Sequence, residues 1–195
     1  REMLLVGQSR AQRRRVAGDI DWLCANGESL PIPDASVDVV TCAFGIRNMT
    51  DKPQALVEMR RVLKPGGRFV GEFGGYGNVS KIREASIAAL NARGLDGEAA
   101  NPWYFPTPED YSALLSAHGF DVTSAVLIPR PTPLPGRMAD WIKTLAQDFV
   151  APVPETEQDA FLQGIEADLA DDLQDADGNW TADYVRLRFS ASFKG

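Results

Sequence analysis

The chain has 195 residues, 44% of them hydrophobic and 24% charged, with a formal net charge of −7. That composition excludes disordered and fibrous classes and is long enough to bury a substantial core. No apolar run reaches the length of a membrane span, and residues 74–195 hold 18 acidic against 9 basic side chains, the opposite of what binding to nucleic-acid phosphates requires, so neither a membrane span nor a nucleic-acid partner is expected.

Glu2 to Arg15 places Met3, Leu4 and Val6 ahead of polar residues, which predicts a short amphipathic helix ending before Gly18. Its arginines, Arg10, Arg13, Arg14 and Arg15, read as a solvated helix face. Ile20, Trp22 and Cys24 then alternate with polar or small residues, predicting a strand closed by Asn26-Gly27. Val37 to Phe44 is a short, nearly continuous apolar run rich in β-branched residues, the pattern of a strand buried on both faces of a parallel sheet. A helix follows, with Pro53 in its first turn and Ala55, Leu56, Met59 and Leu63 on its inner side, and Lys64-Pro-Gly-Gly67 stops it. Arg68 to Phe73 predicts another strand, and Ser80 to Arg93 a helix ended by Gly94.

Beyond the aromatic loop Asn101 to Pro106, Thr107-Pro-Glu-Asp110 carries the signature of a helix start, and that helix closes at Gly119. Val122 to Ile128 is a strand, Pro129 to Pro135 a rigid loop and Met138 to Val150 a helix. Between Glu155 and Leu173 a further helix sets Phe161, Ile165, Leu169 and Leu173 on one face, while nine acids and no base between Glu155 and Asp177 make the outer face a carboxylate surface. Tyr184 to Phe193 alternates as a terminal strand, expected antiparallel to its neighbours. Strands alternating with helices predict an α/β layered sheet, with the helices around 138–173 as a lid or second layer.

Four segments then fall in the order of one family. Glu2-Met-Leu, Asn26-Gly-Glu-Ser-Leu-Pro31, Phe44-Gly-Ile-Arg-Asn-Met-Thr-Asp51 and Val62-Leu-Lys-Pro-Gly-Gly-Arg-Phe69 resemble the C-methyltransferases of ubiquinone and menaquinone biosynthesis. From Gly71 onward, Glu72-Phe-Gly-Gly-Tyr-Gly-Asn-Val79, Asn101-Pro-Trp-Tyr-Phe-Pro106 and Trp180-Thr-Ala-Asp-Tyr-Val-Arg-Leu-Arg188 resemble small-molecule methyltransferases of the trans-aconitate type. The resemblance implies a Rossmann-like class I sheet and S-adenosylmethionine as cofactor, bound at the carboxyl ends of the strands. The family's glycine-rich loop and ribose-binding acid do not occur, and no Gly-x-Gly run precedes Gly66. Relative to the family the chain is therefore expected to be N-terminally truncated, without the first two strands. The organisation implied is one methyltransferase-like unit over 1–195: a Rossmann-like part over 1–137, a helical lobe over 138–178 and a terminal strand over 179–195.

Carried over by position, Asn26 and Gly27 meet the adenine, although the same pair reads equally as a plain turn. Ala43 and Phe44 face the methionine part of the cofactor, with any polar contact from Ala43 supplied by its backbone. Arg47 and Asn48 lie at the rim where a substrate arrives. No catalytic base stands out. His118, the one histidine, reads as a helix cap; Cys24 and Cys42 read as buried thiols with no chelating spacing; and Asp175-Ala-Asp177-Gly178 lacks the other ligands of a calcium loop, so no metal is expected. Trp103-Tyr104-Phe105, Trp141 and Trp180 either wall a substrate pocket or pack the lobe to the sheet.

The expected function is methyl transfer from S-adenosylmethionine to a small-molecule carboxylate, phenol or quinol; the missing base favours an acid or a phenol. The alternative is a catalytically inactive remnant acting as an interaction module or completed by a partner chain. Unpaired sheet edges predict a homodimer, and two cysteines without a disulfide framework or secretory leader predict a cytoplasmic location.

Overall fold

The computed structural model describes residues 2–46 and 49–195. Its main sheet has four strands: β1 (Val37–Ala43), β2 (Leu63–Gly74), β3 (Phe120–Pro129) and, last in the chain, β6 (Val185–Phe193), in the order β1-β2-β6-β3. β1 and β2 run parallel, joined by helix α2 (Lys52–Val62), while β6 enters antiparallel between β2 and β3 as the sequence predicts. The remaining pair, β4 (Thr132–Pro133) and β5 (Thr181–Ala182), forms a small separate ladder.

Local chemistry sets the element ends. Asp51 caps α2 by accepting from Gln54 N at 2.9 Å, with Pro53 in the first turn. The inner side of α2 buries Ala55, Leu56 and Met59, and Leu63 beyond its end is fully buried. Gly66 then takes φ +80°, and a Cβ on Gly67 would stand 2.8 Å from the Lys64 carbonyl and 3.1 Å from that of Asp38. Only glycines pass this corner without strain. Thr107 caps helix α4 (Pro108–Ala117) by accepting from Asp110 N at 3.1 Å.

Among the described residues, one face of the sheet is covered and the other is not. Phe69 and Phe73 of β2 and Leu187, Phe189 and Ala191 of β6 pack with Leu56 and Met59 of α2 and Tyr111 and Leu115 of α4. On the opposite face Val39 of β1 and Val126 of β3 are 44% and 48% exposed, and Arg188 of β6 binds Glu72 of β2 at 2.6 Å. A second apolar cluster lies beyond the carboxyl ends of β1 and β2. It joins helix α3 (Ser80–Asn91) to α5 (Met138–Leu145), α6 (Gln147–Val150) and α7 (Gln158–Leu173), with Phe161, Ile165, Leu169 and Leu173 buried as their spacing predicts.

Several expectations are corrected. Ile20 to Cys24 forms no strand. Its alternation provides a face but no ladder: β1 is the sheet's edge, and among the described residues nothing pairs with its outer side. Ile20 and Leu23 are 38% and 53% exposed, and Cys24, read as a buried thiol, is exposed too. Trp22 instead rests on Gly7 of helix α1 (Glu2–Arg13), where a Cβ would come within 2.7 Å of the indole. α1 forms where expected, yet it buries only Ala11, and Met3, Leu5 and Val6 face solvent. The single helix over Met138 to Val150 is broken at Ala146, which leaves helical geometry at φ −131° and ψ 35°. The loop Pro129 to Pro135 contains β4, because Thr132 and Pro133 find a partner in β5.

Candidate functional site

In open α/β sheets ligands sit outside the carboxyl ends of the parallel strands. Here β1 and β2 end at Ala43 and Gly74, and β6 starts from the same end at Val185. Two large residues just past those ends hold left-handed backbone: Phe44 at φ 60° after β1 and Val79 at φ 47° after β2. Such positions cost about 1–3 kcal/mol each and persist only where neighbours fix them. Phe44 N donates to the Glu72 carbonyl at 2.9 Å, and Val79 N donates to the Asp183 carbonyl at 3.0 Å.

A cationic and aromatic cluster fills this end of the sheet. The Arg186 guanidinium carbon lies 4.8 Å from the centroid of Phe44 and 4.3 Å from that of Tyr184. Trp141 Nε1 of α5 donates to Tyr184 Oη at 2.7 Å, tying the lobe to the first turn of chain before β6. Buried Asn78 accepts from Val185 N at 2.9 Å and from Arg186 Nη1 at 3.4 Å. Arg186, Tyr184 and Asn78 were not singled out as site residues in the sequence. Their signal was the runs Glu72 to Val79 and Trp180 to Arg188, which carry a family resemblance but no periodic or catalytic pattern.

Asn26 and Gly27 stand on the neighbouring rim. Asn26 Oδ1 accepts from Glu28 N at 3.1 Å, which makes the pair a turn. Glu28 reaches across to the helix start, its Oε1 accepting from Thr50 N at 2.6 Å and from Asp51 N at 2.9 Å. The Met49 methyl lies 2.5 Å from where a Cβ of residue 27 would stand. This rim offers an exposed amide and a cradle without a side chain, filled by a flexible thioether, a donor set and a hollow compatible with one end of S-adenosylmethionine. Ala43 is exposed at the end of β1 beside Phe44. Arg47 and Asn48 lie outside the described residues. Gly27 is linked to the end of β1 through Met49, whose N donates to the Ile46 carbonyl at 3.0 Å.

The segment behind this rim is fixed by a half-buried ion pair. Arg61 donates to Glu58 at 2.7 and 2.8 Å, to Asp34 at 2.5 Å, and to the Leu30 and Ile32 carbonyls at 2.8 Å each. Glu58 also accepts from Leu30 N at 2.7 Å. The Arg61 hydrogen bonds hold the Glu58 carboxyl below its usual value, against the opposing effect of burial.

Other groups have structural roles. His118 Nδ1 donates to the Leu114 carbonyl at 2.8 Å, the capping role expected from sequence. Trp180 is buried in the helical cluster, and Trp103 and Phe105 pack against it. Burial pushes the Tyr111 phenol well above its usual range, with Cys42 and Tyr104 adding to the shift, so it stays protonated. Among the described residues no group of three or more His, Cys, Asp or Glu is placed to hold a metal, and no helix is long and apolar enough to cross a membrane. A surface cavity of about 350 Å³ lies elsewhere, between residues 134–137 and α7. Its polar side chains are already paired: Glu166 with Arg137 and Ala139 N, and Gln174 with the Gly178 carbonyl.

Residues 1–76 match the model of the ubiE/COQ5 methyltransferase family. An uncharacterised methyltransferase of Schizosaccharomyces pombe is 35% identical over 167 residues, covering 82% of this chain and 64% of that protein. The ubiquinone/menaquinone biosynthesis C-methyltransferase UbiE of Shewanella sp. strain ANA-3 is 48% identical over 68 residues, covering 35% of this chain and 27% of the enzyme. The chain thus spans less than two thirds of the length of these relatives. Among solved structures, the YcgJ protein of Bacillus subtilis aligns with a TM-score of 0.60 at 20% identity, covering 100% of this chain and 80% of that one. A putative methyltransferase from Bacillus halodurans aligns with a TM-score of 0.57 at 12% identity, covering 89% and 78%.

Proposed function

We propose that this chain, a Rossmann-like class I methyltransferase fold resembling UbiE over its first 76 residues, transfers a methyl group from S-adenosylmethionine to a small-molecule carboxylate, phenol or quinol. One observation carries the reading. Gly27 lies against the Met49 thioether, and Met49 N donates to the Ile46 carbonyl at 3.0 Å, three residues past the end of β1. Asn26 and Gly27 receive the adenine edge, and the backbone of Ala43 and Phe44 lines the methionine end. By their position in the family motif, Arg47 and Asn48 are assigned to the acceptor.

The cofactor supplies an electrophilic methyl group on a sulfonium, and transfer is an in-line displacement. The protein's task is to hold the nucleophile about 3–3.5 Å from the methyl carbon and keep water away. The aromatic groups at this end of the sheet, Phe44, Tyr184 and Trp141, suit that task. Among the described residues the Tyr111 phenol is buried and held protonated, so it does not serve the acceptor as a base. An acceptor already ionised at neutral pH needs none, which favours an acid or a phenol of lowered pKa over a quinol.

The uncovered sheet face and the outer edge of β1 support a second copy or a partner chain as the completing element. Free Cys24 and Cys42 suit a reducing, cytoplasmic setting. Calorimetric titration with S-adenosylhomocysteine tests the cofactor assignment. Saturable binding is expected, and no heat at millimolar ligand would refute it.

A further inference from the structure

Among the described residues three buried polar side-chain atoms have no hydrogen-bond partner: Arg83 Nε, Asp183 Oδ1 and Tyr111 Oη. The first two belong to side chains with other partners, since Arg83 Nη2 pairs with Glu84 at 3.9 Å and Asp183 Oδ2 accepts from Lys81 N at 3.0 Å. Tyr111 has a single polar side-chain atom and is 2% exposed, so its hydroxyl is left with nothing. A phenylalanine would fill the same space without that penalty, and a buried donor kept unpaired calls for a partner that arrives from outside.

The phenol stands near the carboxyl ends of the parallel strands. Its ring lies 4.8 Å from that of Phe73, next to last in β2, and 5.1 Å from that of Phe189. Cys42, next to last in β1, and Tyr104 are both close enough for their charges to act on it. Tyr104 is 60% exposed and sits between Trp103 and Phe105, whose stacked rings pack against the helical cluster. With its neighbours anchored, the exposed Tyr104 ring can turn and give a ligand a route to the hydroxyl beside it.

We infer that Tyr111 is a specificity-determining residue of the methyl-transfer site, its O–H donating to the hydroxyl oxygen of a phenolic acceptor that enters past Tyr104. One neutral donor walled by rings serves one oxygen on a flat ring; a carboxylate brings two, and the second would be buried without a donor. Because the Tyr111 phenol stays protonated, it remains a donor throughout the neutral range. A donor held against the acceptor's oxygen favours the ionised form of the bound phenol, which gives up its proton to water and leaves the oxygen lone pair free to react. This inference rests on the methyltransferase reading for its chemistry, though not for the binding, and narrows the acceptor to a phenol.

The test titrates 4-nitrophenol, whose ionised form absorbs visible light, into the full chain. Nitrobenzene, which lacks the hydroxyl, and 4-nitrobenzoate, which replaces it by a carboxylate, serve as controls. 4-Nitrophenol is expected to bind at least tenfold more tightly than either, with its ionisation moved to lower pH when bound. Tyr111→Phe should lose at least tenfold in affinity and abolish that movement, while its melting temperature holds or rises because an unpaired buried hydroxyl is gone. A hydroxyl that only packs, or that binds a buried water, would leave the affinity unchanged, and that result overturns the inference, as does equal binding of nitrobenzene or 4-nitrobenzoate. Tyr104→Ala, which removes an exposed ring, should speed association at least threefold, and an unchanged rate overturns the route and the inference with it. S-adenosylhomocysteine titrated in parallel keeps the two ideas apart: its failure to bind, with the Tyr111-dependent preference intact, removes the methyltransferase reading alone, and its binding without that preference removes only the role of Tyr111.

Discussion

The thioether end of Met49 occupies the space that a side chain on Gly27 would fill, its Sδ 2.8 Å and its Cε 2.5 Å from the site of a Cβ there. Methionine is flexible enough to leave, and a bound adenine would take its place. Gly27→Leu should therefore weaken S-adenosylhomocysteine at least tenfold, because a branched side chain blocks the slot permanently. Met49→Ala should bind the ligand at least as tightly as the natural chain. Calorimetry on both variants distinguishes a nucleoside slot from a plain turn, for which neither change would alter binding.

The Glu58 and Arg61 pair makes stability sensitive to acid. The folded state lowers the Glu58 pKa from its ordinary 4.5, so the contribution is complete above about pH 4.5 and is lost as pH falls through the lower folded value. Glu58→Gln should destabilise the chain by about 1–3 kcal/mol near neutrality, since it weakens bonds to a half-buried guanidinium. Denaturant midpoints measured from pH 7 to pH 3 should converge for the natural and Glu58→Gln chains at the acid end. A constant gap across that range would refute the assignment.

At the glycine corner in the first residues of β2, Gly67→Ala forces a Cβ against two backbone carbonyls, at 2.8 and 3.1 Å. Backbone yields less readily than a side chain, and a loss of about 1–3 kcal/mol is expected. Gly66→Ala, with open space but φ +80°, should cost about 1 kcal/mol. Thermal melts of both variants would give that order, and the reverse order would refute the close-approach account.

β1 presents its outer edge without a partner among the described residues, and Val39 on it is 44% exposed. Exposed edges promote association, and charge on them opposes it. Sedimentation should show concentration-dependent self-association that Val39→Lys reduces. A monomer at all concentrations would remove the edge as an interface.

Much of this was legible in the chain. Capping by Asp51 and Thr107, the apolar spacing of Phe161, Ile165, Leu169 and Leu173, and the glycine corner at 66–67 are local signals, decided by hydrogen bonds and steric limits within a few residues. Asn26, Gly27, Ala43 and Phe44 were assigned by position within ordered motifs, and their contact with the cofactor belongs to the proposal. The expected strand at Ile20 to Cys24 failed because alternation specifies a face, whereas a strand exists only when another strand accepts its hydrogen bonds.

What the sequence determined by itself was therefore the parallel β1–α2–β2 unit, the antiparallel last strand and the methyltransferase likeness, because each rests on contacts close along the chain or on residue order. Only the tertiary structure decided that Arg186 stands over Phe44 and Tyr184, that Met49 fills the hollow at Gly27, and that one sheet face stays uncovered. Those relationships join segments far apart in the chain, and no spacing records them: they arise when β6 inserts beside β2 and brings its first residues to the end of β1.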